Sequence, residues 1–355
     1  MTDTALPYPE LAPARRRAVA WWLGVWSVML LLIVVIGGVT RLTESGLSIT
    51  EWAPVTGAIP PLTEEAWSDV FRAYQQIPEY QQLNRGMTLA EFKNIFFWEY
   101  LHRLWARLIG VVFFVPLVYF LVRGGLPRGL TWRLGLLLAL TAAQGALGWF
   151  MVMSGLAERT DVSQYRLAAH LGLALIIYVV AVWTAADLFM RELPRASTDR
   201  DLRVVLRFAG FLVGLVFVAA IAGAFVAGLD GGRVYNTFPL MGGRLVPSGY
   251  MAIEPWWRNV FENVIAVQFN HRVIGIVTLF AVAYAWFRGV GADLPSGVRR
   301  WLDLLPLVAV GQVALGVATL LLVAPVWLAA LHQAGAVILL TASLLLFHGL
   351  ARSRI

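Results

Sequence analysis

Eight stretches of this chain are apolar enough and long enough to cross a bilayer as helices, and this sets the fold class before any single residue is considered. They lie at about 18–38, 95–122, 131–153, 166–188, 204–227, 262–287, 301–324 and 327–349. Backbone polar groups in hydrocarbon must be paired internally, which a helix does within its own segment. The expectation is an all-α membrane protein of eight transmembrane helices. Charged residues make up only 14% of the 355, against about 25% in a soluble domain. That excludes an ordinary soluble enzyme and a disordered chain. There is no cysteine, so disulfides, thiolate metal sites and cysteine nucleophiles are excluded. Any metal must be held by His, Met, Tyr or carboxylates.

The net charge of +7 reports topology rather than nucleic-acid binding. With a cytoplasmic N-terminus, 16 of the 28 basic residues fall in short inner segments, among them Arg15, Arg16, Arg17, Arg191, Arg195, Arg352 and Arg354. The other 12 are spread over outer segments about twice as long. Both termini are therefore expected in the cytoplasm. Two long loops, at about 39–94 and 228–254, are expected outside, the first with short amphipathic helices around 63–84. The first span follows three arginines and runs into Gly37-Gly38 without a small-residue cleavage pattern, so it does not read as a cleaved signal peptide. The preceding segment, with Pro7, Pro9 and Pro13, does not read as a transit peptide.

The second half repeats the first. Glu99-Tyr100-Leu101-His102-Arg103 corresponds to Gln268-Phe269-Asn270-His271-Arg272 at an offset of 169. Gln144-Gly145-Ala146-Leu147-Gly148 corresponds to Gln312-Val313-Ala314-Leu315-Gly316 at an offset of 168. Leu167-Ala168-Ala169-His170 corresponds to Leu328-Ala329-Ala330-Leu331-His332, the histidines 162 apart. Four helices per unit in one orientation make parallel repeats about an axis along the membrane normal. Two tandem four-helix bundles related by pseudo-twofold symmetry are expected, residues 1–190 and 191–355.

Four of the five histidines fall in the repeated spans, and all four of those spans run inward from the outer face. Each imidazole then lies roughly 6–10 Å below that face, two per bundle. A flat metal macrocycle between two such rings receives one neutral imidazole on each face, the natural ligation of haem iron. A core histidine that only hydrogen-bonds is the plainer reading of any one of them, and a His/Glu proton relay is a further one. His348 has no repeat partner and reads as interfacial. Zinc is disfavoured, because no close His-x-x-x-His or His/Glu set is present.

The halves differ at one position. Three residues before the first histidine of each half stands Glu99 in one and Gln268 in the other. A carboxylate on the histidine's face can act as general base, whereas an amide cannot. Arg41, Arg103, Arg166 and Arg272 sit near the outer ends of spans, where they can pair with haem propionates or simply snorkel. Gln144 and Gln312 are placed to hydrogen-bond between helices.

These residues carry a resemblance. The run Gly37-Gly38-Val39-Thr40-Arg41-Leu42-Thr43-Glu44-Ser45-Gly46-Leu47-Ser48 is followed by Trp52-x-Pro54 and Gly57-x-Ile59-Pro60-Pro61. Together with Glu99-Tyr100-x-His102-Arg103, Asn270-His271-Arg272 and Leu331-His332-Gln333, it resembles the haem A synthase family over almost the whole chain. The resemblance implies a membrane oxidoreductase that converts haem O to haem A for cytochrome oxidase. It does so by successive hydroxylation of the C8 methyl to a formyl group. It further implies that His102 and His170 serve the substrate haem, that His271 and His332 hold a haem b cofactor, and that Glu99 is the acidic residue near the reacting ring. The implied partners are a haem O synthase (a farnesyltransferase), an electron acceptor and membrane lipid, with a homo-oligomer compatible. Some relatives carry cysteine pairs in the outer loops. This chain has none, as in the proteobacterial and mitochondrial branch, and a bacterial inner membrane is expected. The repeat and histidine pairs taken alone also fit a di-haem cytochrome b moving electrons between quinol and a partner.

Overall fold

The computed structural model describes residues 7–53, 56–158, 162–189 and 200–353. In the first half the helices are α1 (Pro13–Leu42), α2 (Glu64–Tyr74), α3 (Pro78–Gln82), α4 (Leu89–Val122), α5 (Arg128–Glu158) and α6 (Gln164–Phe189). The second half has α7 (Arg200–Gly228), α8 (Asn259–Glu262), α9 (Val264–Gly289), α10 (Ser296–Leu321) and α11 (Val326–Arg352). Eight of these are long and apolar enough to span a membrane. The chain is an all-helical multi-pass membrane protein; no strand occurs among the described residues.

Each expected span corresponds to one long helix, and most helices run past the apolar stretch, although the span at 262–287 begins two residues before α9 and that at 301–324 ends three residues after α10. Hydropathy marks only the part matched to hydrocarbon, whereas caps set the true ends. Thr88 shows this at α4. Its hydroxyl accepts from the Glu91 N–H at 3.3 Å, and Glu91 Oε2 accepts from the Thr88 N–H at 2.8 Å. This capping box starts α4 six residues before the expected boundary.

Helix α1 packs on α4 and α6, and α5 packs on α6; in the second half α7 packs on α9 and α11, and α10 on α11. Between halves, α6 meets α7 and α11, and α1 meets α11. This neighbour pattern is compatible with the expected tandem bundles. The boundary at 190/191 lies outside the described residues, as do Arg191, Arg195, Arg354 and Pro54 of the sequence reading.

Indole N–H groups fasten α1 to α4 where water is absent. Trp22 donates to the Val112 carbonyl at 2.7 Å, Trp26 to Ile109 at 3.1 Å, and Trp105 back to Met29 at 3.0 Å. At the end away from the long loops, buried Asp187 of α6 gathers Arg133 at 2.6 Å, Arg352 at 2.7 Å and His348 at 2.9 Å. The backbone carbonyls of Asp187 and Leu188 accept from Arg16. His348 is thus a buried ion-pair partner rather than the interfacial residue expected from sequence. A buried carboxylate requires such partners, and here they come from α5 and α11, with Arg16 of α1 on the adjoining carbonyls.

The first long loop folds as a cap. Thr63 caps α2 by accepting from the Ala66 N–H at 3.1 Å. Tyr74 and Ile77 join Leu47, Phe92, Phe96 and Val162 in a small apolar core over the N-terminal end of α4 and the C-terminal end of α5.

Candidate functional site

The four repeated histidines share one local construction. Each ring sets its Cε1 edge against a glycine of a neighbouring helix. A Cβ at Gly37 would stand 2.8 Å from His102 Cε1, and one at Gly148 would stand 3.1 Å from His170 Cε1. In the second half the distances are 3.2 Å from Gly223 to His271 Cε1 and 2.7 Å from Gly316 to His332 Cε1. Any side chain there would displace the imidazole. Gln144 and Gln312 donate to the carbonyls of His170 at 3.0 Å and His332 at 2.9 Å, holding the two second histidines alike. These are the interhelical bonds expected of the two glutamines.

The ring nitrogens are divided in the same way four times. Every Nδ1 is buried without a hydrogen-bond partner. The Nε2 atoms are not among the buried unpaired atoms, and the rings are only half-buried, which leaves that edge for a ligand. Near the rings of His271 and His332 lie the backbones of Ala219 and Gln312, each four residues before the contacting glycine. A carbonyl near Nδ1 favours the tautomer that frees Nε2 for a metal.

The His271 and His332 ring centroids are 6.2 Å apart, with the planes at 87°. Two imidazoles on opposite sides of one metal, each with a metal–nitrogen bond near 2 Å, place their centroids roughly 6.3 Å apart. The second pair therefore fits a single six-coordinate metal. His102 and His170 lie within electrostatic range of each other.

Glu99 and Gln268 have different neighbours for a local reason. Glu99 is buried, and each of its oxygens accepts twice. Oε2 takes the Ser48 hydroxyl and the Ile49 N–H, both at 2.7 Å. Oε1 takes Arg103 Nε at 3.0 Å and Nη2 at 2.6 Å. Arg103 also donates to the carbonyls of Ile49 and Glu51, so the pair pins the first loop to α4. In the second half the loop presents carbonyls instead. Gln268 donates to Gly231 at 2.7 Å and Tyr235 at 3.1 Å, and Arg272 to Tyr235 and Thr237. The carboxylate meets loop donors, and the amide meets loop acceptors.

The four arginines divide. Arg41 pairs with Asp230 at 3.4 Å, joining the two halves, yet its Nε is buried without a partner. Arg272 Nε is in the same state. Both are donors that a propionate could satisfy. Arg103 is taken up by Glu99 and the loop, and Arg166 lies over the Phe150 ring at 4.7 Å.

Sequence reasoning missed the glycine cradle, although Gly37, Gly148 and Gly316 all sit in the quoted motifs. It also missed Glu79 of α3, buried in the cap. Its Oε1 accepts from the Tyr74 hydroxyl at 3.0 Å and from Asn84 at 3.4 Å. Burial pushes the Glu79 carboxyl up to about 8, with the Tyr74 bond opposing and the nearby Glu99 and Glu44 charges adding. The folded value lies above the ordinary 4.5. The cap is therefore fully stabilised below pH 4.5 and loses that contribution as pH rises through about 8. Trypsin cleavage at Arg72 and Arg85 should accelerate between pH 7 and 9 in the native chain and lose that acceleration in Glu79→Gln. The same pH dependence in both proteins would remove Glu79 as the cause.

Fold and site together define a multi-pass helical membrane protein that carries two similarly built pairs of histidines. The family model for COX15-CtaA, cytochrome oxidase assembly protein, matches residues 20–344, and the chain belongs to that family. It is 48% identical over 326 residues to "Heme A synthase" of Nitrosomonas eutropha, covering 92% of each chain. It is 50% identical over 336 residues to the protein of that name in Rhodospirillum centenum, covering 93% of this chain and 88% of the relative. To "Heme A synthase COX15" of Bos taurus it is 46% identical over 345 residues, covering 96% of this chain and 83% of the relative.

Proposed function

We propose that the chain is a haem A synthase, converting haem O to haem A for cytochrome oxidase. The observation that carries this is the duplicated, glycine-backed imidazole pair, with a carboxylate beside only one copy, in a chain 46–50% identical to the relatives so named. The two bundles, 1–190 and 191–355, are read as a substrate unit and a cofactor unit. His102 and His170 present Nε2 to the substrate ring and hold it between α4 and α6. His271 and His332 would hold haem b, whose iron supplies a one-electron relay when bound. Arg41 and Arg272, each with a spare buried Nε–H, would meet propionates, with Arg103 and Arg166 nearby.

The reaction class is oxidation of a ring methyl. Successive hydroxylations of the C8 methyl give an alcohol and then a gem-diol, which loses water to leave the formyl group. Written with water as the oxygen donor, each hydroxylation gives up two electrons and two protons, and Glu99 is the candidate proton acceptor on the His102 face. Four hydrogen-bond donors fix its position, with the Ser48 hydroxyl at 2.7 Å as the group that can carry a proton onward. The cap, pinned by Glu99 and Arg103, covers this end of the bundle. Haem O synthase is the proposed supplier of substrate, and a membrane electron acceptor takes the electrons. A host deprived of its own haem A synthase should regain haem A in its membranes when this chain is expressed. Haem O alone in those membranes would contradict the reading.

The proposed location is a bacterial inner membrane, with both termini cytoplasmic and the haem sites toward the periplasm. Among the described residues, the inner ends still carry Arg15, Arg16, Arg17, Arg123, Arg128 and Arg133 in short segments. A cysteine placed in loop 39–94 or 228–254 should react with an impermeant thiol reagent in intact spheroplasts. Labelling only after lysis would reverse the orientation.

A further inference from the structure

The two halves differ in how closely their helices pack, and most of all around α5, whose contacts with both α4 and α6 are sparser than those of its counterpart α10 with α9 and α11. Helices α9 and α10 pack closely, whereas their counterparts α4 and α5 touch only sparsely. Below the cap, the flank of the first bundle between these two helices is left open. The residues at this seam differ in the same sense. At the 169-residue offset that relates His102 to His271, Gly110 of α4 stands where α9 has Leu279. At the 168-residue offset that relates Gln144 to Gln312, Gly145 of α5 stands where α10 has Val313. A Cβ built at Gly110 or at Gly145 meets nothing within 4 Å. Leu279 and Val313 are half-buried, and Leu279 packs against the main core.

The seam adjoins the first histidine pair from both sides. Gly110 lies eight residues beyond His102, roughly 12 Å further from the long loops along α4. Gly145 lies three residues before Gly148, the residue against which His170 packs, roughly 4.5 Å further from the loops along α5. The opening therefore starts beside the substrate ring and runs toward the bilayer centre. Phe114, one turn beyond Gly110 on the same face of α4, is exposed and apolar. A ligand part that fits must be long, flexible, apolar and attached to the ring. A charged or hydrated group would have no partner there.

We propose that the α4–α5 seam, floored by Gly110 and Gly145, is the subsite for the isoprenoid tail of the substrate haem and its lateral entry from the membrane. This rests on the reading of His102 and His170 as the substrate site. The tail lies along the seam while the ring sits between the imidazoles. The second half, with Leu279 and Val313 in place of the glycines and α9 packed on α10, admits only a ring without a long tail and keeps it. One fold thus makes a site that exchanges its haem and a site that retains it.

The test uses full-length protein with its second site loaded. Haem O and protohaem, the latter lacking the tail, are titrated into the native chain and into Gly110→Leu/Gly145→Val, following the His102-dependent spectral change. Filling a hydrophobic pocket changes affinity by about tenfold or more. The double variant should lose that much affinity for haem O while protohaem affinity stays within about twofold. The second-site spectrum reports folding. Should it be lost, the paired Gly→Ala substitutions carry the same comparison with a smaller effect. Unchanged haem O affinity, or equal losses for both ligands, would overturn the seam as a tail site. Absence of any His102-dependent haem binding in the native chain would overturn the substrate-site reading itself, and the seam proposal with it.

Discussion

Glu99→Gln should abolish haem A formation, with haem O or its alcohol accumulating, while haem b at His271 and His332 is retained. A positioned base contributes ~10²–10⁴-fold, and the amide removes it while keeping the shape. The contacts sharpen the expectation. The new NH₂ group would face either the Ser48 hydroxyl and Ile49 N–H or the Arg103 guanidinium, and all of these are donors to Glu99. Arg103 would keep its carbonyls at Ile49 and Glu51 but lose its carboxylate. Residues 48–51 should therefore loosen from α4 as well. Haem product analysis combined with trypsin cleavage at Arg72 and Arg85 separates the two roles. Lost product with unchanged cleavage assigns Glu99 to proton transfer. Lost product with fast cleavage assigns it to holding the cap. Near-normal haem A would remove it from the chemistry, and loss of haem b would make it structural. The reverse change, Gln268→Glu, should not create a second reactive site. It would set a carboxylate against the carbonyls of Gly231 and Tyr235, and that half has no open seam for the tail.

His271→Ala and His332→Ala should each eliminate most of the bound haem b and its low-spin bis-imidazole spectrum. The rings are 6.2 Å apart across the ligand position, so either loss removes one axial bond and leaves a gap beside Gly223 or Gly316. Retention of the spectrum in both variants would sink the cofactor assignment. His348→Ala should leave that spectrum intact, because His348 is bound to Asp187 at the far end of α11.

The spans and the first-loop helices were legible because each depends on local pattern. The histidine pairs were legible because the repeat doubles the signal. Contacts between distant segments were not. Nothing local in Gly37, Gly148, Gly223 or Gly316 says that an imidazole lies on it, since each faces a histidine on another helix. Ser48 and Ile49 meet Glu99 from about 50 residues away, so the Glu/Gln difference read as chemistry without its partners in the loop. His348 looked interfacial because Asp187, 161 residues earlier, gave no sign of sharing its depth. Gln333 was visible only as part of a motif. In the fold it donates to the Val34 carbonyl of α1 at 2.8 Å, tying the second half to the first. Burial of Glu79 follows from how α2 and α3 fold back on α4, which hydropathy does not encode.

The central claim is that two similar histidine pairs hold two different haems. It is tested most directly by extracting and identifying the pigments of protein purified from a host that makes haem O, for the native chain, His102→Ala and His271→Ala. The native chain should yield haem b together with haem O or haem A, His102→Ala should yield haem b alone, and His271→Ala should lose haem b. Haem b alone from the native chain, lost in part by each variant, would contradict the claim and leave a di-haem cytochrome that only moves electrons.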